Sequence, residues 1–419
     1  MESKIKVLVL GDHPFAPSGV GTQIRYMVEH LLETGKFQFH CIAGAVKHKD
    51  YKPQKTDKWG DDLVIFPVDG YGNKDLVRIL MRKFKPDIVW FMTDPRFWGW
   101  LWEMEDEIRP LCPMVYYHVW DNYPYPTFNK KFYDSNDVVV TISKVTDDIV
   151  RTVAPDVECI YLPHSVNQEV FKPFKEEEIK NLRSQNFQAD EKDKFLFFWN
   201  NRNARRKQSG SLIFWFKEFL DEVGHDKAML LMHTDTKDPH GQNLKAIIAE
   251  LGLTDRQVMF SEAKLPPEHL AAMYNMADCT INISDAEGFG LATLESLSCG
   301  TPIIATMTGG LQQQVTDGEE FFGIGIEPAS KAIIGSQQVP WIYEDRIAKE
   351  DFLNALRQML TCEEEQMEEW KKKAVEWTKK EYPFERYTSG WEKILTDIHE
   401  KYGSWETRKG YSRIKQKEF

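Results

Sequence analysis

The chain has 419 residues, of which 42% are hydrophobic and 28% are charged, and its formal net charge is −12. This composition is typical of a folded globular protein and excludes a disordered chain, a collagen-like repeat and a coiled-coil rod. The acidic balance argues against duplex nucleic acid or a lipid surface as the main partner, because both attract basic proteins. The length indicates two or three domains.

The sequence shows neither a targeting signal nor a disulfide framework. The first apolar run ends at Gly11, too early for a secretory signal peptide. No stretch approaches the roughly 20 apolar residues that a transmembrane helix needs. The six cysteines are scattered without a C-x-x-C pair, which is typical of reduced thiols. We therefore expect a cytoplasmic protein without a transmembrane segment.

Short apolar segments alternate with amphipathic helical segments along most of the chain. The strands predicted in the first half are Ile5–Leu10, Cys41–Ala45, Val64–Val68, Asp87–Met92, Met114–Val119, Val138–Ile142 and Cys159–Leu162. The pattern restarts with predicted strands at Lys194–Trp199, Ala228–Met232, Gln257–Phe260, Thr280–Ile283 and Pro302–Ala305. Continuous apolar strands separated by helices indicate parallel sheets that are covered on both faces.

This pattern predicts an α/β fold of two doubly wound, Rossmann-like domains facing a central cleft, with ligands beyond the carboxyl ends of the strands. We assign residues 1–168 to the N-terminal domain and residues 169–384 to the C-terminal domain. The charged stretch Lys175–Lys194 is interpreted as a helical linker. A last helix is expected over about residues 385–419. Its basic residues are interpreted as a solvated helix end, and they are Arg408, Lys409, Arg413, Lys415 and Lys417.

The segment Asn282–Thr301 carries the most specific chemical signal. A predicted strand leads into an acidic, glycine-rich turn that opens a helix, expected over Phe289–Ser298. Gly288 and Gly290 allow a ligand to approach the backbone closely. Because helix N-termini favour anions, a phosphate is the expected ligand of the first amides. Those amides belong to Phe289, Gly290 and Leu291.

Two carboxylates flank this turn. Glu287 would repel a phosphate, so it is better suited to sugar hydroxyls. Glu295 lies eight positions further on, roughly 12 Å along a helix with a rise of about 1.5 Å per residue. That spacing suits ribose hydroxyls at the other end of a sugar–diphosphate–ribose unit. The alternative is a capped helix with solvated acids.

The same segment resembles the E-x7-E signature of retaining GT-B glycosyltransferases of family 4, from Glu287 through GFGLATL to Glu295. Other segments that resemble the family precede this one in the chain and occur in the family's order. They are Pro17–Thr22, Tyr117–Asp121, Val138–Lys144, Leu162–Asn167, and the R-x4-K pair of Arg202 and Lys207. The resemblance covers roughly residues 5–320. It implies a retaining hexosyl- or pentosyltransferase that moves a sugar from a nucleotide-sugar donor to an acceptor hydroxyl. We also expect the C-terminal helix, about residues 385–419, to pack back on the first domain.

The resemblance also implies roles for individual residues. The implied catalytic residues are Glu287, His118, Arg202 and Lys207, with His118 holding a donor-sugar hydroxyl or transition-state charge. The implied donor contacts are Gly19, Gly21, Arg202, Lys207, Leu265, Gly288, Phe289, Gly290, Leu291 and Glu295. Arg202 and Lys207 would replace a metal ion on the leaving diphosphate. Since the chain has no D-x-D motif, no metal and no other cofactor is expected, and the nucleotide sugar is a co-substrate.

The sequence leaves three classes of acceptor open: a glycan, a small metabolite and a modified nucleobase. Nucleic acid is therefore expected as a partner only if it is the acceptor. Arg96 and Tyr123 follow predicted strands in an aromatic-rich region, and we predict that they contact it; the alternative is that their loops pack on the core. Residues 324–346 depart from the family pattern and are interpreted as an added loop. Two other functions also stay open: a sugar-nucleotide epimerase or hydrolase of the same fold, and a non-catalytic sugar-binding protein.

Overall fold

The computed structural model of the protein describes residues 3–412. The chain divides into two units. The first unit contains the residues up to His164, the segment Gly335–Ile342 and the residues from Phe384 onward, and the second contains Ser165–Ile334 and Tyr343–Pro383. Arg413, Lys415 and Lys417 of the predicted basic helix end lie outside the described residues.

The first unit is built on a single mainly parallel sheet. Its strands are β1 (Ile5–Asp12), β2 (Phe37–Gly44), β3 (Gln54–Lys55), β4 (Leu63–Pro67), β5 (Ile88–Thr93), β6 (Met114–His118), β7 (Val138–Thr141) and β8 (Glu158–Tyr161). They pair in the order β3-β4-β2-β1-β5-β6-β7-β8, and only the β3–β4 pair is antiparallel. Every strand predicted in this half is present, and β3 is additional.

Helices pack on this sheet because each buries an apolar face that would otherwise be exposed to water. They are α1 (Gly19–Glu33), α2 (Lys74–Phe84), α3 (Gly99–Trp102), α4 (Glu105–Ile108), α5 (Lys130–Asp134) and α6 (Lys144–Val153). Ile24, Met27 and Leu31 lie at helical spacing on α1 and are fully buried. The Trp-rich region is mainly core, since Trp90 and Trp98 are fully buried.

The second unit contains an entirely parallel sheet. Its strands are β9 (Phe195–Asn200), β10 (Ala228–His233), β11 (Val258–Ser261), β12 (Cys279–Asn282), β13 (Ile303–Thr306) and β14 (Gly323–Ile326), in the order β11-β10-β9-β12-β13-β14. A separate two-stranded sheet follows, made of β15 (Ser330–Ile334) and β16 (Ile342–Arg346). Residues 324–346 were expected to be an added loop, and that expectation was wrong because three strands occupy most of the segment.

The helices of the second unit are α7 (Glu176–Asn186), α8 (Ser209–Val223), α9 (Leu244–Glu250), α10 (Pro267–Met276), α11 (Leu291–Ser298), α12 (Lys349–Leu360) and α13 (Glu364–Glu381). Helix α7 occupies the stretch that was interpreted as a linker. It is instead part of this unit, because Arg183 forms an ion pair of 3.0 Å with Asp278.

The last helix, α14 (Phe384–Tyr402), belongs to the first unit. Its Trp391 is fully buried, with its ring centroid 5.5 Å from that of Trp90 and 4.8 Å from that of Tyr117. The helix was expected to continue through residue 419 but ends at Tyr402. Gly403 stops it with a φ of +59°, a left-handed conformation that suits glycine.

The order of the second sheet creates a junction between β9 and β12. The chain leaves β9 for β10 and β11 on one side and then returns to β12 on the other. Loops diverge at such a switch point, where ligands of doubly wound sheets bind. Among residues 3–412, no helix has both the length and the apolar character needed to span a membrane.

Candidate functional site

Two loops meet at the junction of β9 and β12. Residues 201–208 follow β9 and are here named the cation loop, and residues 283–290 follow β12 and are named the carboxylate loop. The main-chain N–H of Asp285 donates to the carbonyl oxygen of Arg206 at 2.8 Å, and the Arg206 side chain donates to the carbonyl oxygen of Ala286. The sheet therefore brings together two segments that are far apart in sequence.

Lys207 and Glu287 form an ion pair at this meeting point. Their side chains are only 7% and 14% exposed, respectively. The hydroxyl of Ser284 also lies 3.5 Å from Glu287 Oε2. The sequence placed an acid, Glu287, where a phosphate was expected, and the two would repel each other. The ion pair reduces that repulsion because Lys207 offsets the charge of Glu287.

The glycine-rich turn ahead of α11 is closely packed. Gly290 has a φ of +93°, and a Cβ there would lie 2.5 Å from Leu311 Cδ2. Gly310 donates its N–H to the carbonyl of Glu287 at 2.9 Å, and a Cβ on Gly310 would lie 2.6 Å from the carbonyl oxygen of Gly288. Both positions require glycine, as expected where backbone segments approach closely.

Helix α11 begins at Leu291 rather than at the predicted Phe289. Glu287 therefore lies in the turn ahead of the helix, and the 12 Å spacing expected along a continuous helix does not apply. The first amides of a helix have no partner within that helix and favour an anion. The predicted phosphate site thus lies beside the Lys207–Glu287 pair.

Glu295 lies on the second turn of α11 and accepts a hydrogen bond from the hydroxyl of Tyr274 at 2.7 Å. Asn200, the last residue of β9, donates to the same hydroxyl at 2.7 Å. Burial raises the pKa of Glu295 to about 7, and the hydrogen bond from Tyr274 opposes that shift. Neither Tyr274 nor Asn200 was predicted as a site residue, although Asn200 ends a strand next to the junction.

Arg202 does not share the environment of Lys207. Its Nε lies 2.5 Å from Asp238 Oδ2, its Nη2 lies 2.7 Å from His240 Nδ1, and its side chain is 61% exposed. The guanidinium holds the pKa of the Asp238 carboxyl well below its usual range. Asp238 and His240 were not predicted, and the only available signal was that their loop follows β10, the neighbour of β9.

The remaining predicted donor residues are less closely tied to this centre. Leu265 is half-buried in the loop that precedes α10. In the first unit, α1 begins at Gly19, and the Gly21 N–H donates to the hydroxyl of Ser18 at 3.0 Å. That hydroxyl in turn donates to Asp12 Oδ2 at 2.5 Å. The glycine loop is thus a capped helix start at the end of β1.

His118 is fully buried in the first unit. Its Nδ1 lies 3.1 Å from the hydroxyl of Tyr116, and its Nε2 lies 2.9 Å from the hydroxyl of Tyr133. Burial lowers the pKa of His118 to about 3, so the ring is neutral. The predicted contact with a donor sugar requires a different side-chain arrangement from this one.

The two predicted acceptor residues are each bound to an acid. Arg96 donates from Nε and Nη2 to Asp94 at 2.9 and 3.0 Å, and its side chain is 44% exposed. The hydroxyl of Tyr123 donates to Asp148 at 2.8 Å, and Tyr125 donates to the same carboxylate oxygen. The contact of Arg96 and Tyr123 with an acceptor stays a prediction.

Within residues 3–412, no three His, Cys, Asp or Glu side chains are grouped as metal ligands would be. The absence of a metal requirement stays a prediction, to be decided by the assay described below.

Comparison with known proteins identifies the segment that carries the junction. Residues 180–377 match the family model described as Glycosyl transferases group 1. The matched segment is just under half of the chain. The cation loop, the carboxylate loop and Glu295 all lie within this family segment.

Relatives and solved structures extend the comparison. The D-inositol 3-phosphate glycosyltransferase of Acidothermus cellulolyticus is 42% identical over 92 residues, which is 22% of this chain and 20% of that protein. The chain therefore matches about a fifth of the length of this curated relative. Sucrose-phosphate synthase from Thermosynechococcus elongatus superposes with a TM-score of 0.75 at 17% identity, covering 95% of this chain and all of that one.

A second solved structure, Anabaena HepE in complex with UDP-glucose, superposes with a TM-score of 0.65 at 12% identity. It covers 94% of this chain and 100% of that chain. At such identities the likeness establishes the fold, and the chain has the GT-B fold with two Rossmann-like sheets. The fold class predicted from the sequence is confirmed.

Proposed function

We propose that this protein is a retaining glycosyltransferase that moves a sugar from a nucleotide-sugar donor to an acceptor hydroxyl without a metal ion. The observation that carries the proposal is the Lys207–Glu287 ion pair directly ahead of α11. A cation, a carboxylate and a helix N-terminus at one junction suit a sugar joined to a diphosphate. The match of residues 180–377 to the model of glycosyl transferases group 1 supports the same reaction class.

Each charged group has a distinct task in this proposal. Lys207 and the first amides of α11 bind the diphosphate, and Arg202 adds charge at its outer side. Glu287 accepts hydrogen bonds from sugar hydroxyls, and Glu295 accepts them from the ribose. The acceptor hydroxyl attacks the anomeric carbon from the face that the nucleotide leaves, and the departing phosphate oxygen takes its proton. Stabilising the charge that develops on that oxygen is the main catalytic contribution.

For the donor and the acceptor, we propose which compounds to test first. HepE was solved with UDP-glucose, so UDP-glucose is the first donor to test and hexosyl transfer the first expectation. The names of two similar proteins contain a phosphorylated compound, D-inositol 3-phosphate in one and sucrose phosphate in the other. A phosphorylated polyol or sugar is therefore the first acceptor class to test, with Arg96 as the candidate partner of its phosphate.

The proposal is tested by incubating the purified protein with UDP-glucose and other nucleotide sugars, phosphorylated acceptors and excess EDTA. We expect an acceptor glycoside with the anomeric configuration of the donor, detected by NMR, and a rate that EDTA leaves unchanged. Inversion at the anomeric carbon contradicts retention, and loss of activity in EDTA with recovery in manganese contradicts metal independence. Donor turnover that needs no acceptor indicates an epimerase or hydrolase, and donor binding without turnover indicates a sugar-binding protein.

A further inference from the structure

Strand β16 lies against the cation loop. Glu344, in the middle of β16, accepts hydrogen bonds from both terminal nitrogens of Arg205, one of them at 2.9 Å. Arg346 Nη2 donates to the same carboxylate at 2.8 Å. The side chain of Glu344 is only 5% exposed. Because Arg205 lies between Arg202 and Lys207, Glu344 holds the centre of the cation loop.

The same strand also holds the carboxylate loop. Asp345 donates its main-chain N–H to the carbonyl oxygen of Asp285 at 2.7 Å. Arg346 Nε lies 3.4 Å from Asp285 Oδ2, and Gln208 Nε2 donates to that oxygen at 2.7 Å. Asp285 is two residues ahead of Glu287, and its side chain is 3% exposed.

The burial of these acids explains why the arrangement is specific. Removing a carboxylate from water costs several kcal/mol unless cations and hydrogen bonds compensate it. Glu344 and Asp285 are both nearly buried, and Arg346 contacts both of them. Arg205 completes the compensation of Glu344. The low-energy arrangement therefore fixes β16, the cation loop and the carboxylate loop relative to one another within the second unit.

We propose that Glu344 and Arg346 are positioning residues that hold the cation loop and the carboxylate loop together, so that Lys207 and Glu287 meet in the geometry that glycosyl transfer requires. Neither residue needs to touch the donor. The inference rests on the proposed function for its kinetic readout, and a structural readout makes it testable without that function.

The kinetic test is a double-mutant cycle of Glu344→Gln and Lys207→Ala. Glu344→Gln keeps the shape of the side chain but removes its charge. We expect it to lower kcat about tenfold or more with a small change in the dissociation constant of UDP, because displacements near 1 Å can cost about a hundredfold in rate. In the Lys207→Ala background the same change should lower kcat less than twofold further, because both changes act on the same interaction.

Glu350→Gln is the matched control. It makes the same chemical change as Glu344→Gln, but at an exposed residue in the first turn of α12. Glu344→Asp, which keeps the charge, should retain more of kcat than Glu344→Gln. Equal losses of kcat from Glu344→Gln in both backgrounds, or no loss in either, overturn the proposal. If Glu344→Gln does not fold, Arg346→Lys is taken through the same cycle.

Hydrogen exchange supplies the readout that is independent of activity. Glu344→Gln should speed exchange at the amides of residues 204–208 and 284–290 and leave those of β9 and β10 protected. Unchanged exchange in the two loops contradicts a positioning role. If wild-type protein transfers no sugar from any donor but the loops respond in this way, the proposed function fails and the positioning role stands.

Discussion

The loops at the carboxyl ends of the two sheets use charge in different ways. In the second unit, pairing joins residues that are far apart in sequence, such as Lys207 with Glu287 and Arg205 with Glu344. Among the residues predicted as site residues in the first unit, Arg96 is bound within its own loop, to Asp94 two residues away. His118 is likewise enclosed by aromatic hydroxyls of its own unit.

This contrast shows why one set of predicted residues forms a recognisable site and the other does not. A pair of opposite charges from distant segments exists only because the fold brings the segments together, and it holds both groups ready for a ligand. A locally bound arginine or an enclosed histidine is compatible with core, with loop structure or with a site that must rearrange. The fold of the second unit thus holds Lys207 against Glu287, whereas Arg96 and His118 are held by partners within the first unit.

The largest loss of transfer is expected from Lys207→Ala, which removes the long-range charge pair that distinguishes the second unit from the first. The second unit should lose its main cation at the diphosphate, and we expect kcat to fall about 100- to 1000-fold, the usual cost of one transition-state donor. Donor affinity should change far less, because the leaving-group charge grows only as the bond breaks. Steady-state kinetics and calorimetry with UDP separate these effects. Lys217→Ala on α8 is the matched control, and a change in KM alone would make Lys207 a ground-state contact.

Arg202→Ala should have the next largest effect, a fall in kcat of about 10- to 100-fold. The reduction is smaller than for Lys207 because the Arg202 side chain is 61% exposed and its charge is screened by solvent. Asp238→Asn should disturb the same guanidinium and lower kcat less than Arg202→Ala does. The two variants are compared in one assay at two salt concentrations. If Lys207→Ala and Arg202→Ala lowered kcat equally, the exposure of a cation in the free protein would not predict its contribution to catalysis.

The pH dependence of nucleotide binding tests the Tyr274–Glu295 contact. Burial raises the pKa of Glu295 to about 7, and the proposed contact with ribose hydroxyls needs the ionised carboxylate as acceptor. UDP affinity should therefore be full above pH 8 and weaken by up to about tenfold per pH unit below pH 7, as linkage requires. Calorimetry from pH 5.5 to about 8.5 measures this. Glu295→Gln should bind weakly with a flat profile, and an unchanged affinity would remove Glu295 from the donor site.

The smallest effect on transfer is expected from His118→Asn in the first unit. It should lower Tm by several degrees, because it disturbs buried hydrogen bonds to Tyr116 and Tyr133, each worth about 1–3 kcal/mol when left unmade. Its kcat, measured well below Tm, should fall less than that of Arg202→Ala. A large loss of kcat with an unchanged Tm would contradict this expectation. It would show that His118 leaves its enclosure to meet the substrate.

Most of the fold was predictable because parallel strands buried on both faces are continuous apolar runs. The predicted strand Lys194–Trp199 and the observed β9, for example, differ by one residue at each end. The approach of Lys207 to Glu287 was predictable in the same way, since each follows a strand of one parallel sheet. Strand β16 was missed because its sequence, IYEDR, carries three charges that normally indicate a loop. Those charges are accommodated by ion pairs that no local pattern reveals.

The missed site residues share one physical reason. Tyr274 lies in α10, where an aromatic residue at helical spacing indicates core, and it is indeed almost fully buried. Only the sheet order, which places α10 beside α11, shows that its hydroxyl meets Glu295. Asp238 lies in a polar loop that resembles any surface loop. Contacts that depend on the tertiary fold leave no periodic or compositional trace in the chain.

The burial of Trp391 against Trp90 and Tyr117 has a consequence for how the protein is made. The first unit starts to emerge from the ribosome before the second, yet its core is incomplete until α14, which follows the second unit in the chain, has been translated. At about 5–20 residues per second, the intervening second unit takes on the order of ten to forty seconds to synthesise. During that interval the indole face of Trp90 lacks its native cover. The core of the first unit can therefore be completed only after the second unit has been synthesised.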